Sequence, residues 1–232
     1  MEIIGDNLGR KLTFDPYLAD RVNKAYMEEE RRNAIKRRKG IKDNNSAAPP
    51  VAPQTIKPAS LDDVVNFSGR DLVRSDYEAL VKILEPISKK PEEFYTPLND
   101  GKIRLEDRRV VYVDFYALGL DRLPEEVGDL TALQWLYLDN NQLTSLPNSI
   151  GNLTALQRFS LDNNQLTSIP GSIGNLTALQ RLHLDRNQLT SLPGSIGNLT
   201  ALQELNLWEN KLNDKSKELC EVLKRNGVFV SY

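Results

Sequence analysis

A segment of 23 residues that recurs along the second half of the chain constrains the fold more than any other feature of this sequence. Each copy reads L-x-x-L-x-L-x-x-N-x-L-T-S-L-P-x-S-I-G-N-L-T-A, and no insertion disturbs the spacing between Val110 and Leu212. Four asparagines mark the period: Asn141, Asn164, Asn187 and Asn210. A fixed period of this length predicts a stack of small structural units that share one continuous core.

The order of residues within one copy predicts the path of the chain through each unit. Leu136 and Leu138 alternate with other side chains, which is typical of a short strand with one buried face. Asn141 follows where the chain must bend, so its amide can bond backbone groups that have lost their strand partners. Pro147 and Gly151 then bracket a compact, largely non-helical return segment. We therefore expect one strand and one return in each unit, with the strands forming a curved parallel sheet.

On these residues the chain resembles the leucine-rich repeat family. The 23-residue length and the L-P-x-S-I-G-N-L element look like the intracellular, Ras-group type of repeat, and the resemblance covers residues 110 to about 224. It implies an α/β leucine-rich repeat solenoid of about five repeats and a function in protein–protein interaction, sometimes with small GTPases or phosphatases. It names no partner.

Both ends of the repeat array depart from the pattern, as terminal repeats usually do. The first unit has Leu118 where the asparagine belongs. After Leu212, a helical pattern runs from Ser216 to Asn226, Gly227 is a stop signal, and Val228–Tyr232 reads as an extended strip. We expect repeats over 110–212 and a C-terminal cap over 213–232.

The side chains between the repeated leucines differ from unit to unit, although the frame is nearly copied. Strand geometry places them on the concave face. Aromatic residues and arginine are common at interface hot spots, so we expect partner contacts from one set of residues: Tyr112, Tyr116, Trp135, Tyr137, Arg158, Arg181, His183 and Trp208. The alternative is that some of these rings cover the first unit, or that residues 61–109 already pack on them.

The sequence contains few residues of the types that usually perform catalysis or bind metal ions. It contains one cysteine, Cys220, and one histidine, His183, which argues against a metal site of several cysteines or a histidine-based triad. Asp139, Asp162 and Asp185 form a row rather than a cage, and we expect them to pair with nearby arginines instead of calcium. We therefore predict no enzyme activity, no metal, no cofactor and no small-molecule substrate; a Cys220 nucleophile is the weakest alternative.

The leading part of the chain is basic, with a net charge of +4 over residues 1–60 against −5 over 110–212. We expect a basic helical arm over 1–42, a Pro-rich linker over 43–59 and a small helical cap region over 60–109. The arm holds a candidate nucleic-acid or nuclear-targeting cluster: Arg31, Arg32, Lys36, Arg37, Arg38 and Lys39. The alternative for this cluster is a solvated helix end.

Two functions follow from these observations. The first is a protein–protein interaction adaptor or scaffold in a larger assembly, binding a partner on the concave face. The second is a structural subunit of a ribonucleoprotein whose basic arm contacts RNA. The sequence shows no apolar run long enough for a membrane span and no secretory signal at its start, so we expect an intracellular location, in the cytoplasm with the nucleus as a further compartment. The three Asn-Leu-Thr triplets at Asn152, Asn175 and Asn198 are then part of the repeat rather than glycosylation sites.

Overall fold

A computed structural model describes residues 64–94 and 102–232, which contain two helices and nine strands. The strands are β1 (Val64–Phe67), β2 (Arg70–Val73), β3 (Ile103–Glu106), β4 (Arg109–Asp114), β5 (Trp135–Tyr137), β6 (Arg158–Ser160), β7 (Arg181–His183), β8 (Glu204–Asn206) and β9 (Phe229–Ser231). The helices are α1 (Arg74–Leu84) and α2 (Asp214–Arg225). The predicted arm, its basic cluster and the Pro-rich linker lie outside the described residues.

Strands β3 to β9 form one seven-stranded sheet in sequence order. Strands β3 and β4 are antiparallel, and every later pair is parallel. The five repeats supply β4 to β8, one strand each. After each strand the chain turns back through the return segment, so the next strand pairs in parallel with the one before it. This is the predicted solenoid, with a short 3₁₀ turn in the return segment of each of the first four repeats.

The repeated leucines form the core because each coil buries its apolar side chains against the next coil. In the second coil, Leu136, Leu138 and Leu143 are almost completely buried, and the equivalent positions of the other coils are buried as well. The core continues from Phe67 near the described N-terminal end to Val230 in β9. No coil could bury this much apolar surface alone, so the coils stabilise one another.

The four repeated asparagines bond the backbone across neighbouring coils. The Asn164 side-chain amide donates to the carbonyls of Leu138 and Leu161, both at 3.0 Å, and its oxygen accepts the Leu143 N–H at 3.1 Å. Asn141, Asn187 and Asn210 make the equivalent bonds. The predicted asparagine ladder is therefore present, and it satisfies groups that the bend takes out of the sheet.

The region before the repeats differs from the predicted helical cap. The expectation of helical structure over 60–109 is wrong for Val64–Phe67, which pairs with β2 as a hairpin. Ser68 and Gly69 both have positive φ, as a tight two-residue hairpin turn requires. Helix α1 forms where a helix was expected, but Val73 is its N-cap, and no side chain caps it.

A second hairpin covers the edge of the repeat sheet. Strand β3 pairs with β4 through a two-residue turn at Asp107 and Arg108. Helix α1 packs against the 3₁₀ turn Glu125–Asp129 of the first repeat, and its buried Asp76 accepts hydrogen bonds from the Arg109 side chain and from the Val110 N–H at 2.7 Å. This ion pair joins the helix to the first coil, and the sequence pattern gave no sign of it.

The segment expected to form a C-terminal cap contains a helix followed by a strand. Helix α2 begins after Asn213, whose side chain accepts the Ser216 N–H at 2.9 Å. Gly227 has a φ of +90°, which ends the helix and directs the chain into β9. Strand β9 then pairs in parallel with β8 and extends the sheet by one strand.

We expect the return segments to tolerate a methyl group only where no further 3₁₀ return segment packs against them. A Cβ at Gly174 would lie 2.6 Å from the Ser195 carbonyl oxygen of the next coil, whereas a Cβ at Gly197 meets nothing within 4 Å. Both glycines lie in the same sequence, S-I-G-N-L-T-A. Gly174→Ala should lower the free energy of unfolding by about 1–3 kcal/mol because the coils must separate locally.

Gly197→Ala is the matched control, and it should change the free energy of unfolding by less than about 1 kcal/mol. Urea unfolding followed by circular dichroism measures both variants. Equal losses of stability in the two variants would show that close coil-to-coil approach does not hold the return segments together.

Candidate functional site

Three rows of side chains lie across the face of the sheet opposite the leucine core. The first row runs from β3 to β9 in register: Arg104, Tyr112, Trp135, Arg158, Arg181, Glu204 and Phe229. The second row is Asp114, Tyr137, Ser160, His183, Asn206 and Ser231. The third row follows the strand ends: Tyr116, Asp139, Asp162, Asp185 and Trp208. All eight predicted contact residues belong to these rows.

The aromatic residues at the N-terminal end form a cluster that β3 partly covers. The Arg104 guanidinium lies 3.8 Å from the centre of the Tyr112 ring and 5.6 Å from the Trp135 ring. The Tyr112 and Tyr137 ring centres are 5.7 Å apart. Tyr112 is only 7% exposed, so its ring packs inside the structure and is not part of an open contact surface. Trp135 and Tyr137 keep part of their surface exposed.

Burial also changes the ionisation of the two tyrosines. It raises the pKa of Tyr137 to about 12, with the nearby Asp139 carboxylate adding to the effect. It raises the pKa of Tyr112 as well, and Asp114 contributes in the same direction. Both hydroxyls therefore stay protonated at neutral pH, and the cluster contributes apolar surface and hydrogen-bond donors rather than charge.

The centre of the first row is basic and has one carboxylate beside it. Arg158 and Arg181 are register partners on β6 and β7. Glu204 on β8 lies 3.4 Å from Arg181 Nε and 3.5 Å from His183 Nε2. It also accepts a hydrogen bond of 3.1 Å from Asn206. Burial lowers the pKa of Arg158 to about 10, and the neighbouring Arg181 charge adds to this effect, so Arg158 remains charged at neutral pH.

The aspartates of the third row bond the backbone of the next coil, not the arginines that were predicted as their partners. Asp139 accepts the Asp162 N–H at 2.8 Å, Asp162 accepts the Asp185 N–H at 2.8 Å, and Asp185 accepts the Trp208 N–H at 2.7 Å. The Ser160 hydroxyl also donates to Asp139. Arg186, expected to pair with this row, bonds Glu209 at 3.0 Å instead.

These bonds make the aspartates a second ladder beside the asparagines. Burial raises the pKa of Asp162 to about 8, and the carboxylates of Asp139 and Asp185 on either side add to the shift. Burial also raises the pKa values of Asp139 and Asp185. Within residues 64–94 and 102–232, no group of three or more histidine, cysteine, aspartate or glutamate side chains is arranged to hold a metal ion.

Aromatic surface is also present at the C-terminal end of the rows. Trp208 is 49% exposed, and the Arg186 guanidinium lies 5.2 Å from its ring centre. Phe229, which was not predicted as a site residue, continues the first row beyond Glu204 and is 66% exposed. The sequence could have predicted this, because side chains alternate between the two faces of a strand. In Val228–Tyr232 this alternation places Phe229 on the face opposite the buried Val230.

The fold and the comparison with known families agree. The family model of the leucine-rich repeat region matches residues 110–225, which is half of the chain. This protein belongs to the leucine-rich repeat family. Leucine-rich repeats are in general protein-binding modules and are typically not enzymes. The finer repeat subtype stays a prediction.

Solved structures of leucine-rich repeat proteins resemble this one. A leucine-rich repeat protein of Leptospira interrogans is 38% identical over 53% of this chain and 30% of its own length, with a TM-score of 0.48. The ectodomain of the receptor kinase SOBIR1 of Arabidopsis thaliana is 22% identical over 69% of this chain and 93% of its own, with a TM-score of 0.57. The second likeness shows the fold alone. A search of curated proteins found no match.

Leucine-rich repeats also occur in ectodomains such as that of SOBIR1. The fold therefore does not test the intracellular location, which stays a prediction. In the described part of this leucine-rich repeat chain, no helix has the length and apolar content needed to cross a membrane.

The aspartate ladder should make stability depend on pH. Folding raises the pKa of Asp162 to about 8 from its ordinary value of 3.8, so the folded protein binds this proton more tightly than the unfolded chain does. Stability at this site is therefore lost as pH rises from about 4 to about 8, and above pH 8 the full cost of the buried charge is present. Asp162→Asn keeps an oxygen for the Asp185 N–H and removes the charge. We expect it to be more stable than the parent protein at pH 9, by ~1–2 kcal/mol, and closer to the parent at pH 6.

Melting temperatures at the two pH values measure this effect, with the exposed Asp121→Asn as the control that should show no such difference. A variant that is destabilised equally at pH 6 and pH 9 would mean that Asp162 is already ionised at neutral pH without penalty.

Proposed function

We propose that this protein is a non-catalytic adaptor that binds a protein partner on the concave face of its repeat sheet. The single observation that carries the proposal is a contrast within the repeats. The inward leucines and the asparagine ladder are copied from coil to coil, while the first and second outward rows change side-chain type from strand to strand except at Arg158 and Arg181. Stability of the frame does not require unlike aromatic and basic side chains on its open face, and exposed apolar patches are a feature of interaction sites.

The chemistry of these side chains suits recognition of a protein surface. Trp135, Tyr137 and Trp208 supply aromatic area that keeps part of its exposure, and Arg158 and Arg181 supply charge between them. Aromatic residues and arginines in partly desolvated positions are the residue types that contribute most binding energy at protein interfaces. A rigid sheet holds them in place before binding, which lowers the entropy lost on association.

The reactive side chains of the described residues favour binding over catalysis. Cys220 is buried in α2, and burial raises the pKa of its thiol, whereas an activated nucleophile needs a lowered one. His183 lies beside the Glu204 carboxylate, and the hydroxyl of its register neighbour Ser160 donates to Asp139 and not to His183. The weakest alternative, a Cys220 nucleophile, has no structural support.

The remaining parts of the proposal concern the chain outside the described residues. We assign residues 1–42 to an arm and 43–59 to a linker that join the repeat domain to a second partner in a larger assembly. The ribonucleoprotein alternative rests on the basic cluster of that arm, from Arg31 to Lys39, and stays a prediction. No contact of the described residues favours it over protein binding.

Removing the Trp135 side chain should weaken partner binding without unfolding the repeats. Trp135→Ala takes a large ring from the aromatic cluster of the proposed surface, and we expect the amount of specifically captured partner to fall about 10-fold or more. The measurement is quantitative affinity capture with full-length parent and variant, together with their melting temperatures. Val222→Ala is the control, since it removes an exposed apolar side chain from helix α2, away from the strands.

Two results contradict the proposal. One is a cooperative melting transition of Trp135→Ala at a much lower temperature, which would make the ring a structural part of the first coils. The other is unchanged capture by a stable Trp135→Ala variant, which would place recognition elsewhere on the molecule.

A further inference from the structure

We infer that the C-terminal end of the asparagine ladder binds an extended segment of a partner protein, in which an asparagine is followed two residues later by a leucine. The site lies on the last coil, beside helix α2 and strand β9, and it is separate from the concave rows. The inference goes beyond the proposed function, because it assigns a second binding site and gives the peptide chemistry that this site takes.

Each coil before the last has one backbone N–H that is bonded by the asparagine of the following coil. These donors are leucines two residues after the ladder position: Leu120, Leu143, Leu166 and Leu189 donate to Asn141, Asn164, Asn187 and Asn210 at 3.0–3.1 Å. The Leu212 N–H holds the same position in the fifth coil, and it has no acceptor among the residues that the structure describes. Leu212 is only 8% exposed, and a backbone donor in such a place is normally bonded.

The carbonyls that bond the ladder also have one partner fewer at this end. In the inner coils, the carbonyls of Leu138, Leu161 and Leu184 each accept two asparagine amides, one from their own coil and one from the next. Within the described residues, the Leu207 carbonyl accepts only the Asn210 amide of its own coil, at 2.9 Å. Because a carbonyl oxygen has two lone pairs, Leu207 can accept a further amide.

Two further backbone groups define the path of the segment that would complete the ladder. In the preceding coil these positions are bonded: the Arg186 N–H to the Trp208 carbonyl at 2.8 Å, and the Leu189 carbonyl to the Lys211 N–H at 2.9 Å. The equivalent groups of the last coil are the Glu209 N–H and the Leu212 carbonyl, which have no such partner in the described part of the chain. A segment parallel to the last coil would bond both, through the carbonyl two residues before its asparagine and the N–H one residue after it.

A cavity of about 570 Å³ lies at this end of the ladder. Its walls are formed by Leu207, Asn210, Lys211, Leu212, Lys217 and Tyr232. Both leucines whose backbone groups lack a ladder partner therefore line this ladder-end cavity. Asn210 is partly exposed, whereas the three other ladder asparagines are only 6–7% exposed. The ladder-end cavity thus lies where the asparagine of a following coil would cover Asn210.

Strand β9 supplies the strand of this next position but not its bend. Ser231 pairs with Asn206 in the parallel register that the inner strands use. Tyr232 follows, and its hydroxyl donates to Glu221 on helix α2 at 2.6 Å. Among the described residues, none takes the place of the next asparagine. The partner therefore needs to supply only a short segment, from two residues before its asparagine to the leucine two residues after it.

The site calls for a carboxamide rather than a carboxylate. The Leu207 carbonyl needs a donor and the Leu212 N–H needs an acceptor, and the side chain of asparagine supplies both from one carbon atom. An ionised carboxylate only accepts, so it would direct negative charge at the Leu207 carbonyl. Lys217 in the cavity wall is already paired with Asp214 at 3.6 Å, and charge therefore does not select the ligand.

The leucine of the proposed segment follows from the same repetition. The residue two positions after each ladder asparagine is a buried leucine: Leu143, Leu166, Leu189 and Leu212. Leu212, the last of them, lines the ladder-end cavity instead of lying under a further coil. A leucine of the partner would cover this side chain and remove apolar surface from water.

Titration of the full chain with a peptide copied from its own ladder tests the inference. The probe is the N-acetylated, C-amidated peptide of residues 185–192, Asp-Arg-Asn-Gln-Leu-Thr-Ser-Leu. We expect it to bind, and to lose about 10-fold or more in affinity when its asparagine is replaced by aspartate or by alanine. The matched control replaces its glutamine by alanine. That glutamine position is exposed in the repeats, so the affinity should stay within about 2-fold.

The amide-proton chemical shifts of the last two coils locate the bound peptide. The Leu212 and Glu209 N–H groups gain acceptors on binding, so their NMR signals should move downfield. Leu189 and Arg186 hold the same positions in the preceding coil and are already bonded, so their signals should move far less. These two amides are internal controls within the same titration.

Three results overturn the inference. The first is the absence of saturable binding of the probe peptide at about 1 mM. The second is equal affinity for the asparagine peptide and its aspartate or alanine form, because the ladder groups would then not recognise the ligand. The third is saturable binding that shifts amides around Trp135 and not Leu212, which would place the peptide on the concave face. None of them removes the proposed function, which the capture experiment with Trp135→Ala tests separately.

Discussion

The buried amides of the repeated asparagines are the interaction on which the structure depends. A chain that turns every 23 residues leaves backbone groups without strand partners at each bend, and these groups lie next to the leucine core, away from water. Asn141, Asn164 and Asn187 are almost fully buried and bond both their own coil and the preceding one. Because each amide is shared between two coils, the coils stack in one register, and the strands line up residue by residue.

The register of the strands turns a repeated frame into a defined surface. Since equivalent positions lie side by side, a change at one position of the repeat alters one point in a row and leaves the core unchanged. The aspartates strengthen this arrangement on the open face, where each bonds the backbone of the next coil. The remaining positions then differ in chemistry: an aromatic cluster partly covered by Arg104, two adjacent arginines beside Glu204, and exposed Trp208 and Phe229 at the far end.

The features that recur in every repeat could be predicted from the sequence, whereas the features that depend on a single long-range contact could not. The 23-residue spacing was enough to predict the solenoid, the asparagine ladder and the three rows, because the residues that form each of them recur in several repeats. The hairpins at Ser68-Gly69 and Asp107-Arg108 occur once each, and the valines before the first were compatible with a helical pattern. Helical spacing alone could not exclude a strand there.

Two contacts join residues that lie far apart in the sequence or on different strands, so no local sequence pattern predicts them. They are the packing of Arg104 on the Tyr112 ring and the ion pair of Asp76 with Arg109. The aspartate row was predicted, but its partners were not, because a carboxylate beside arginines can equally bond a backbone N–H. Phe229 was missed as a surface residue for a different reason: the chain returns to the sheet after helix α2, outside the repeat period.

Hydroxyl-radical footprinting of the full chain, free and bound to a captured partner, tests the concave surface most directly. The account predicts that the partner protects Trp135 and His183 from oxidation, while Val222 on helix α2 reacts as it does in the free protein. Protection confined to α2 or to the return segments, with Trp135 and His183 unchanged, would contradict it.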